Sequence, residues 1–482
     1  MAFFESRSYP EDNPHIVIDL LPIRSDGSNG GNLLFILNLI ARLRDFSKDQ
    51  LLIICPKDSE EFIRDSFDRV SYEEKFNPQI TYVEGYSDAS KIINKWKKES
   101  YYHYFKNNLL HNKKIFLQRN IVGYYLNSLR VKISRIDILI RNVRSNLLTK
   151  LFSKILFIAS AILLRVINLL SVGTCSSIKN KNQLIYRRDI ASTTLNSILF
   201  TPFGHFDIAG LKFRRVVSII YDLQHMDMPF MHSEQQILIR NFHYLNILNN
   251  SCKVITISNY SKKQILHHFE VEDGNVDVIH LPSQFIENEN VNKKKLSINR
   301  ELSTFLKYKK NFFFTPANYW EHKNHKTLLV AINMFTRRNK DINFIFSGKF
   351  LDSVARKEFD DFLKVNKLNK RVLMLDYIES DLVEYLYSKC CAVITPSLYE
   401  GFGMTLREAY YFRKVAIASN IEAHKEIGDP DTTIFFDPRS PKDILDKLLF
   451  FSKQNIENFS FNRIVNIEKI YQDYVDAIVG VK

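Results

Sequence analysis

Short runs of β-branched and aromatic residues alternate with helically periodic stretches in two parts of the chain. The first part holds HIVIDLLPI, QLLIICP and ITYVEGY, then SILFTPF, RVVSIIYDL and CKVITIS; the second holds NFFFTPAN, INFIFSGK, RVLMLDYI, CAVITPS, VAIASN and TIFFDP. Runs this short and continuous predict buried strands, and their alternation with helices predicts parallel sheets joined by crossover helices. The fold class is therefore α/β, with two doubly wound domains. A polar stretch from 284 to 308, QFIENENVNKKKLSINRELSTFLKY, breaks the rhythm and reads as a linker. It divides a first domain, 1–288, from a second, 289–460. Sheets of this kind bind ligands beyond the carboxyl ends of their strands.

Residues 95–190 do not fit the alternation. Between Lys95 and Arg188 stand 19 lysines or arginines against Glu99 and Asp137, a net +17 that exceeds the +14 of the whole chain. The excess positive charge thus belongs to one segment, and its partner need not be the substrate of the rest. At its centre, LLTKLFSKILFIASAILLRVINLL has only the ten residues Ile155 to Leu164 free of charge, whereas a spanning helix needs about 20. At 100° per residue Lys150, Lys154, Arg165 and Asn168 fall within about 60° of one another, which leaves a broad apolar face. An amphipathic helix in an anionic membrane surface fits both features. A buried helical hairpin with solvated basic flanks is the rival, and a true span the third reading.

The 482 residues exceed one ordinary core, and 45% hydrophobic with 25% charged residues excludes a largely disordered chain. Five cysteines in no metal-type spacing, Cys390 and Cys391 adjacent on an apolar run, are expected to be buried and reduced. MAFFESRSYPEDNP has no export-signal pattern, so a cytoplasmic location is expected. The thirteen histidines form no His-Glu-x-x-His or Cys-x-x-Cys framework, and Asp429-Pro430-Asp431 sits in a proline turn, so no metal site is expected.

The stretch PSLYEGFGMTLREA, Pro396 to Ala409, carries the clearest chemistry. It follows a buried strand, turns on Gly401 and Gly403, and opens a helix whose first amides point back into the turn, a natural phosphate site. Glu408 has a plainer reading, since Thr405-Leu406-Arg407-Glu408 is a capping-box pattern with Thr405 as N-cap. Glu400 has none, because it precedes the turn at the mouth of the sheet. In SNYSKKQI, Ser258 and Ser261 stand where they would cap a helix.

This stretch, with SNIEAHKEIGD and FFDP after it, resembles the signature of the family 4 retaining glycosyltransferases of the GT-B fold, including its Glu-x7-Glu pair. SDGSNGGN resembles the family's glycine loop, VITISNYSKKQI the last helix entry of its first domain, and FTPANYWEHKNHKTLL the start of its second. The resemblance covers roughly 1–90 and 195–482. It implies two Rossmann-like domains facing a cleft, with a helix over 461–482 packing back on the first. It also implies roles. Glu400 would bind donor-sugar hydroxyls and Glu408 the nucleotide ribose. Amides of Phe402, Gly403, Met404, Thr405 and Leu406 would cradle the diphosphate, with Lys323 neutralising it and Gly30 and Gly31 approaching from the other domain. A leaving diphosphate without a metal needs such a cation and aligned amides. The arginine that the family places a few residues before its lysine is missing from TPANYWEHK, which brings Asn318 and His322 forward. Where the family has His-Asp, this chain has Tyr221-Asp222, with His225 after it; Asp222 and His225 are candidates for the acceptor side, or else a turn aspartate and a partly buried histidine.

The implied activity is transfer of a hexose from a nucleotide diphosphate sugar, with a lean to mannose from GDP-mannose, to a lipid-linked or oligosaccharide acceptor of a surface polysaccharide such as O-antigen or capsule. No cofactor, metal or nucleic-acid partner is expected. The basic segment suggests peripheral attachment to the inner face of the cytoplasmic membrane, where other glycan-synthesis enzymes are candidate partners. Two other classes stay open, a noncatalytic membrane-docking subunit of a glycan-synthesis complex and a nucleotide-sugar epimerase on the same fold.

Overall fold

The computed structural model describes residues 15–20, 32–47, 51–56, 59, 62–63, 79–83, 197–203, 213–285, 300–308, 311–350, 352–462 and 465–481. The chain divides into two compact units, one of Met1–Cys55, Ser59–Thr81 and Asn196–Lys482, the other of Pro56–Asp58 and Tyr82–Leu195. The 95–190 segment, and with it the membrane, hairpin and span readings, lies outside the described residues. So do Gly30 and Gly31.

Every run read as a strand is one. A first sheet has the order β3-β2-β1-β4-β5-β6-β7, with β1 at Ile16–Asp19, β2 at Leu51–Pro56, β3 at Gln79–Val83, β4 at Ile198–Thr201, β5 at Arg215–Ile220, β6 at Lys253–Thr256 and β7 at Val276–Val278. The second has the order β10-β9-β8-β11-β12-β13, with β8 at Phe312–Pro316, β9 at Asn343–Ser347, β10 at Val372–Leu375, β11 at Ala392–Thr395, β12 at Val415–Ser419 and β13 at Thr433–Phe436. Pairing is parallel in both, as in the registers Ile16↔Ile198 and Ala392↔Phe313. Strands β1, β4, β9, β10, β11 and β12 are buried along their whole length, which is why they read as continuous apolar runs. The order reverses between β1 and β4 and between β8 and β11, so each sheet has a crevice at its carboxyl edge.

Two elements depart from the sequence reading. β7 is only three residues long and carries Asp277, too little pattern to register. The supposed linker ends in a helix, Arg300–Tyr308, whose Leu302 is buried; Leu302 and Leu306 supply a narrow apolar stripe that polar composition hides. The thiols also differ in part. The four described cysteines are all free, with Cys55 and Cys390 buried as expected, but Cys252 exposed.

The second sheet packs on an aromatic core that includes Phe313, Phe335, Phe344, Phe346 and Phe359. The last helix, Ile467–Val479, buries Tyr471, Tyr474, Val475 and Ile478, one stripe at helical spacing. That stripe meets the helix Asn32–Ser47 of the first domain: the Phe35 ring lies 4.8 Å from Tyr474 and 5.9 Å from Tyr471. Arg42 stacks 3.9 Å over Tyr471 and pairs with Glu468 at 2.5 Å. The Tyr474 hydroxyl donates to the Ile279 carbonyl at 2.9 Å. Tyr474→Ala removes a fully buried ring and leaves that carbonyl short of a donor, and is expected to destabilise the protein by about 3–5 kcal/mol. Thermal and urea unfolding of the variant would read this, and an unchanged midpoint would show that the terminal helix does not hold the first domain.

Candidate active site

Lys323 and Glu400 lie far apart in sequence and meet because β8 and β11 are neighbours. Lys323 closes the short helical turn Glu321–Lys323 after β8, and Glu400 stands in the loop after β11. The Lys323 Nζ donates to Glu400 Oε1 at 2.6 Å, with the two side chains 18% and 16% exposed. Ser397 Oγ donates to the same oxygen at 2.6 Å. Three bonds tie the loops together: the Leu398 amide donates to the His322 carbonyl at 2.7 Å, and Asn324 Nδ2 donates to the carbonyls of Pro396 at 3.0 Å and Pro438 at 2.7 Å. Asn324 takes the left-handed conformation, φ 59°, that asparagine tolerates better than most residues.

The electrostatics follow from this packing. Burial works to raise the Glu400 pKa, but the Lys323 ammonium beside it, with His424 and His322, overrides burial and holds it at about 2. The carboxylate is therefore ionised at neutral pH, and its contribution to stability is present above the ordinary carboxylate range and lost as pH falls toward about 2. His322 is driven the other way. Burial and then Lys323 lower it to about 4, so it is neutral near pH 7 and cannot stand in for a missing cation. Asn318 likewise spends its side-chain oxygen on the Lys349 amide at 2.8 Å. A cation that the sequence reading did not single out, Arg240 on the helix Glu234–Asn250, is near enough to act on His322 and His232.

The glycine turn then starts the helix Met404–Tyr411, with Gly403 as N-cap at φ 108°. No side chain caps it, so the capping-box reading of Thr405 and Glu408 does not hold. The helix begins earlier than that pattern assumed, and the amides of Leu406 and Arg407 bond back to the Gly403 carbonyl at 3.0 and 3.3 Å. The Leu406 amide is thus spent inside the helix, while Phe402, Gly403, Met404 and Thr405 form the turn itself. A Cβ on Gly403 would lie 3.0 Å from the His424 ring, so both conformation and space demand glycine there. Phe402 is buried between His280, at 5.3 Å, and the Arg407 guanidinium, at 5.3 Å.

Glu408 faces inward and accepts from the Tyr387 hydroxyl at 2.5 Å. Burial raises its pKa to about 7 against the pull of the Tyr387 bond and Lys323. On the first domain, Asp222 follows β5 and accepts from the Gln224 amide at 3.0 Å. It stands beside Gly401: a Cβ added there would lie 2.9 Å from Asp222 Cβ and 2.6 Å from the Tyr221 carbonyl oxygen. The structure thus brings Asp222 to the loop that carries Glu400. His225 is different. It is fully buried, its Nε2 lies 2.8 Å from Asn241 Oδ1, and burial lowers it to about 4, so it is a neutral interior histidine away from solvent. Asp429 forms a local turn in which its Oδ1 accepts from the Asp431 amide at 2.9 Å, and no group of three potential ligands is arranged for a metal ion among the described residues.

A cation and a carboxylate thus meet at a strand-order reversal, beside a helix N-terminus opened by glycines. Residues 300–464 match the family model described as "Glycosyl transferases group 1". It is 27% identical over 131 residues to the O-antigen biosynthesis glycosyltransferase WclY of Escherichia coli, a match covering 27% of this chain and 35% of that protein. It is 31% identical over 125 residues to the serotype-specific mannosyltransferase WbdA of Escherichia coli, covering 25% of this chain and 15% of that one. The chain thus spans only about a third or less of the length of these curated relatives. The fold is similar to that of Anabaena Alr3699/HepE in complex with UDP and glucose, with TM-score 0.55 and 12% identity over 97% of this chain and 100% of that one.

Burial raises the Glu408 carboxyl to about 7 and it accepts bonds best when ionised, so a ligand hydroxyl that donates to it is expected to be held more tightly as pH increases through about 7, with that dependence lost in Glu408→Gln. Calorimetric titration of nucleoside diphosphate from pH 6 to 8 measures both. The same slope in the variant would remove Glu408 from the nucleotide.

Proposed function

We propose that this protein is a retaining, metal-independent glycosyltransferase that moves a hexose from a nucleotide diphosphate sugar to a lipid-linked or oligosaccharide acceptor. The observation that carries the reading is the Lys323–Glu400 pair at 2.6 Å beside the N-terminus of Met404–Tyr411. Lys323 and the turn amides of Phe402 to Thr405 supply a cation and aligned dipoles where a departing diphosphate gathers charge. Glu408 takes the ribose. Glu400 already shares one oxygen between Lys323 and Ser397, which suits a carboxylate that orients sugar hydroxyls more than one that attacks carbon. The diphosphate then accepts the acceptor's proton on the face it leaves, and the glycosidic bond forms there with the original configuration kept. Asp222, beside Gly401, is the acceptor-side group.

The mannosyltransferase relative favours mannose, which we assign to a GDP-mannose donor, and the O-antigen relative favours a surface polysaccharide acceptor. The net +17 between Lys95 and Arg188 favours an anionic membrane surface as the place of work, on its cytoplasmic face. Among the described residues no helix is long and apolar enough to cross a membrane.

A panel of UDP, GDP, ADP and their sugar conjugates is expected to raise the melting temperature selectively for one nucleotide. Lys323→Ala should weaken nucleoside diphosphate binding by about tenfold or more, because a buried charge pair is broken and the diphosphate loses its cation. Glu400→Ala should abolish transfer with the fold intact. Normal turnover in Glu400→Ala, or no shift with any nucleotide, would overturn the assignment.

A further inference from the structure

The loop that carries Glu400 is held by the opposite domain. The carbonyl of Gly401 accepts from Ser258 Oγ at 2.5 Å and from Ser261 Oγ at 3.1 Å, both buried contacts, and Ser261 Oγ also reaches the Tyr221 carbonyl at 3.1 Å. Ser258 is at the same time the N-cap of the helix Asn259–His268, accepting from the Ser261 amide at 2.9 Å. The free amides of that helix are not left to water. Glu426, from the second domain, accepts from the Asn259 amide at 2.7 Å and the Tyr260 amide at 3.0 Å, and from Asn259 Nδ2 at 2.9 Å. His280, on the chain leaving the first sheet, lies 3.0 Å from the same carboxylate and 5.3 Å from the Phe402 ring. Next to the glycine turn, the Tyr399 hydroxyl accepts from the Leu223 amide at 3.2 Å.

We infer that Ser258, Ser261 and Glu426 form an interdomain latch that sets the Glu400–Gly401 peptide, and that they are positioning residues for the transfer reaction. A buried carbonyl must be satisfied, and here both donors come from the other domain. Separating the domains strips the Gly401 carbonyl of both, so the peptide next to Glu400 holds its geometry at least cost only when the domains are closed. The helix end gives the contact direction, because its amides and positive dipole end meet the Glu426 carboxylate. Gly401 is what lets the surfaces meet, since any side chain there would strike Tyr221 and Asp222. Coupling of this kind is reciprocal. A sugar that favours the Glu400 geometry favours closure, and closure favours the sugar.

The effect on turnover rests on the transferase reading above, whereas the latch can be read without it. Ser258→Asp keeps the helix cap but cannot donate to Gly401, Ser261→Ala removes only the bridging hydroxyl, and Ser258→Thr keeps both functions. In the Ser258→Asp/Ser261→Ala double variant, amide exchange across 396–411 is expected to speed up about tenfold, with Ser258→Thr restoring protection and Asp352→Ala, which removes the cap of the helix Ser353–Val365 after β9, leaving the segment unchanged. The same double variant should lose about tenfold or more in kcat/KM while its affinity for the bare nucleoside diphosphate stays within about threefold, since the groups assigned to that ligand, Lys323, Glu408 and the turn amides of Phe402 to Thr405, belong mainly to the second domain. Unchanged exchange across 396–411 overturns the latch, as does a loss of nucleotide affinity equal to the loss of turnover. A wild-type protein that binds no nucleotide fails the transferase reading instead, and the exchange measurement then decides the latch by itself.

Discussion

The contact of Lys323 with Glu400 is the interaction on which the crevice of the second domain depends. Both groups are largely withdrawn from water, so each is tolerable only because the other is there. The surrounding bonds keep them in register. Ser397 shares the carboxylate, Asn324 ties its own turn to Pro396 and Pro438, and Leu398 ties the loop after β11 to the turn after β8. The reversal of strand order between β8 and β11 is what makes the meeting possible, because it leaves two loops side by side with no crossover helix between them.

Two carboxylates on one short stretch have been pushed in opposite directions. Glu400, next to an ammonium, stays ionised down to about 2, while Glu408, one helix face further in, is raised to about 7 by burial beside the Tyr387 ring. Environments that separate the pKa values of like groups also separate what they can do. A permanent anion orients and balances charge; a carboxyl that titrates near neutrality responds to what it binds. Gly403 enables both, since its left-handed φ lets the chain pass from the Glu400 loop into the helix that carries Glu408 without a capping side chain.

The first domain takes part in this site through backbone more than through charge. The carbonyls of Tyr221 and Gly401 share the Ser261 hydroxyl, and Asp222 reaches the site because Gly401 has no side chain to keep it out. At the other end of the chain, Tyr471 and Tyr474 bring the terminal helix onto Phe35. Each of the two domains is thereby tied to the other by residues remote in sequence.

The strands, their parallel arrangement and the glycine turn before a helix were legible in the sequence, because a strand buried on both faces must be apolar without interruption and a turn with positive φ needs glycine. Lys323 and Glu400 could be picked out as well, through their place in a recognisable pattern. The helix Arg300–Tyr308 was hidden by its polar composition, and Glu408 fitted a local capping pattern that the helix start at Gly403 rules out. Ser397, Asn324, Tyr387, Glu426 and the second role of Ser258 and Ser261 left no local mark. Local pattern reports what a residue does for its own element, and by that measure the two serines are caps and nothing more. Which carbonyl their hydroxyls meet, and which carboxyl is raised toward neutrality, depend on groups that only the folded chain brings within a few ångströms, where hydrogen bonds and burial act.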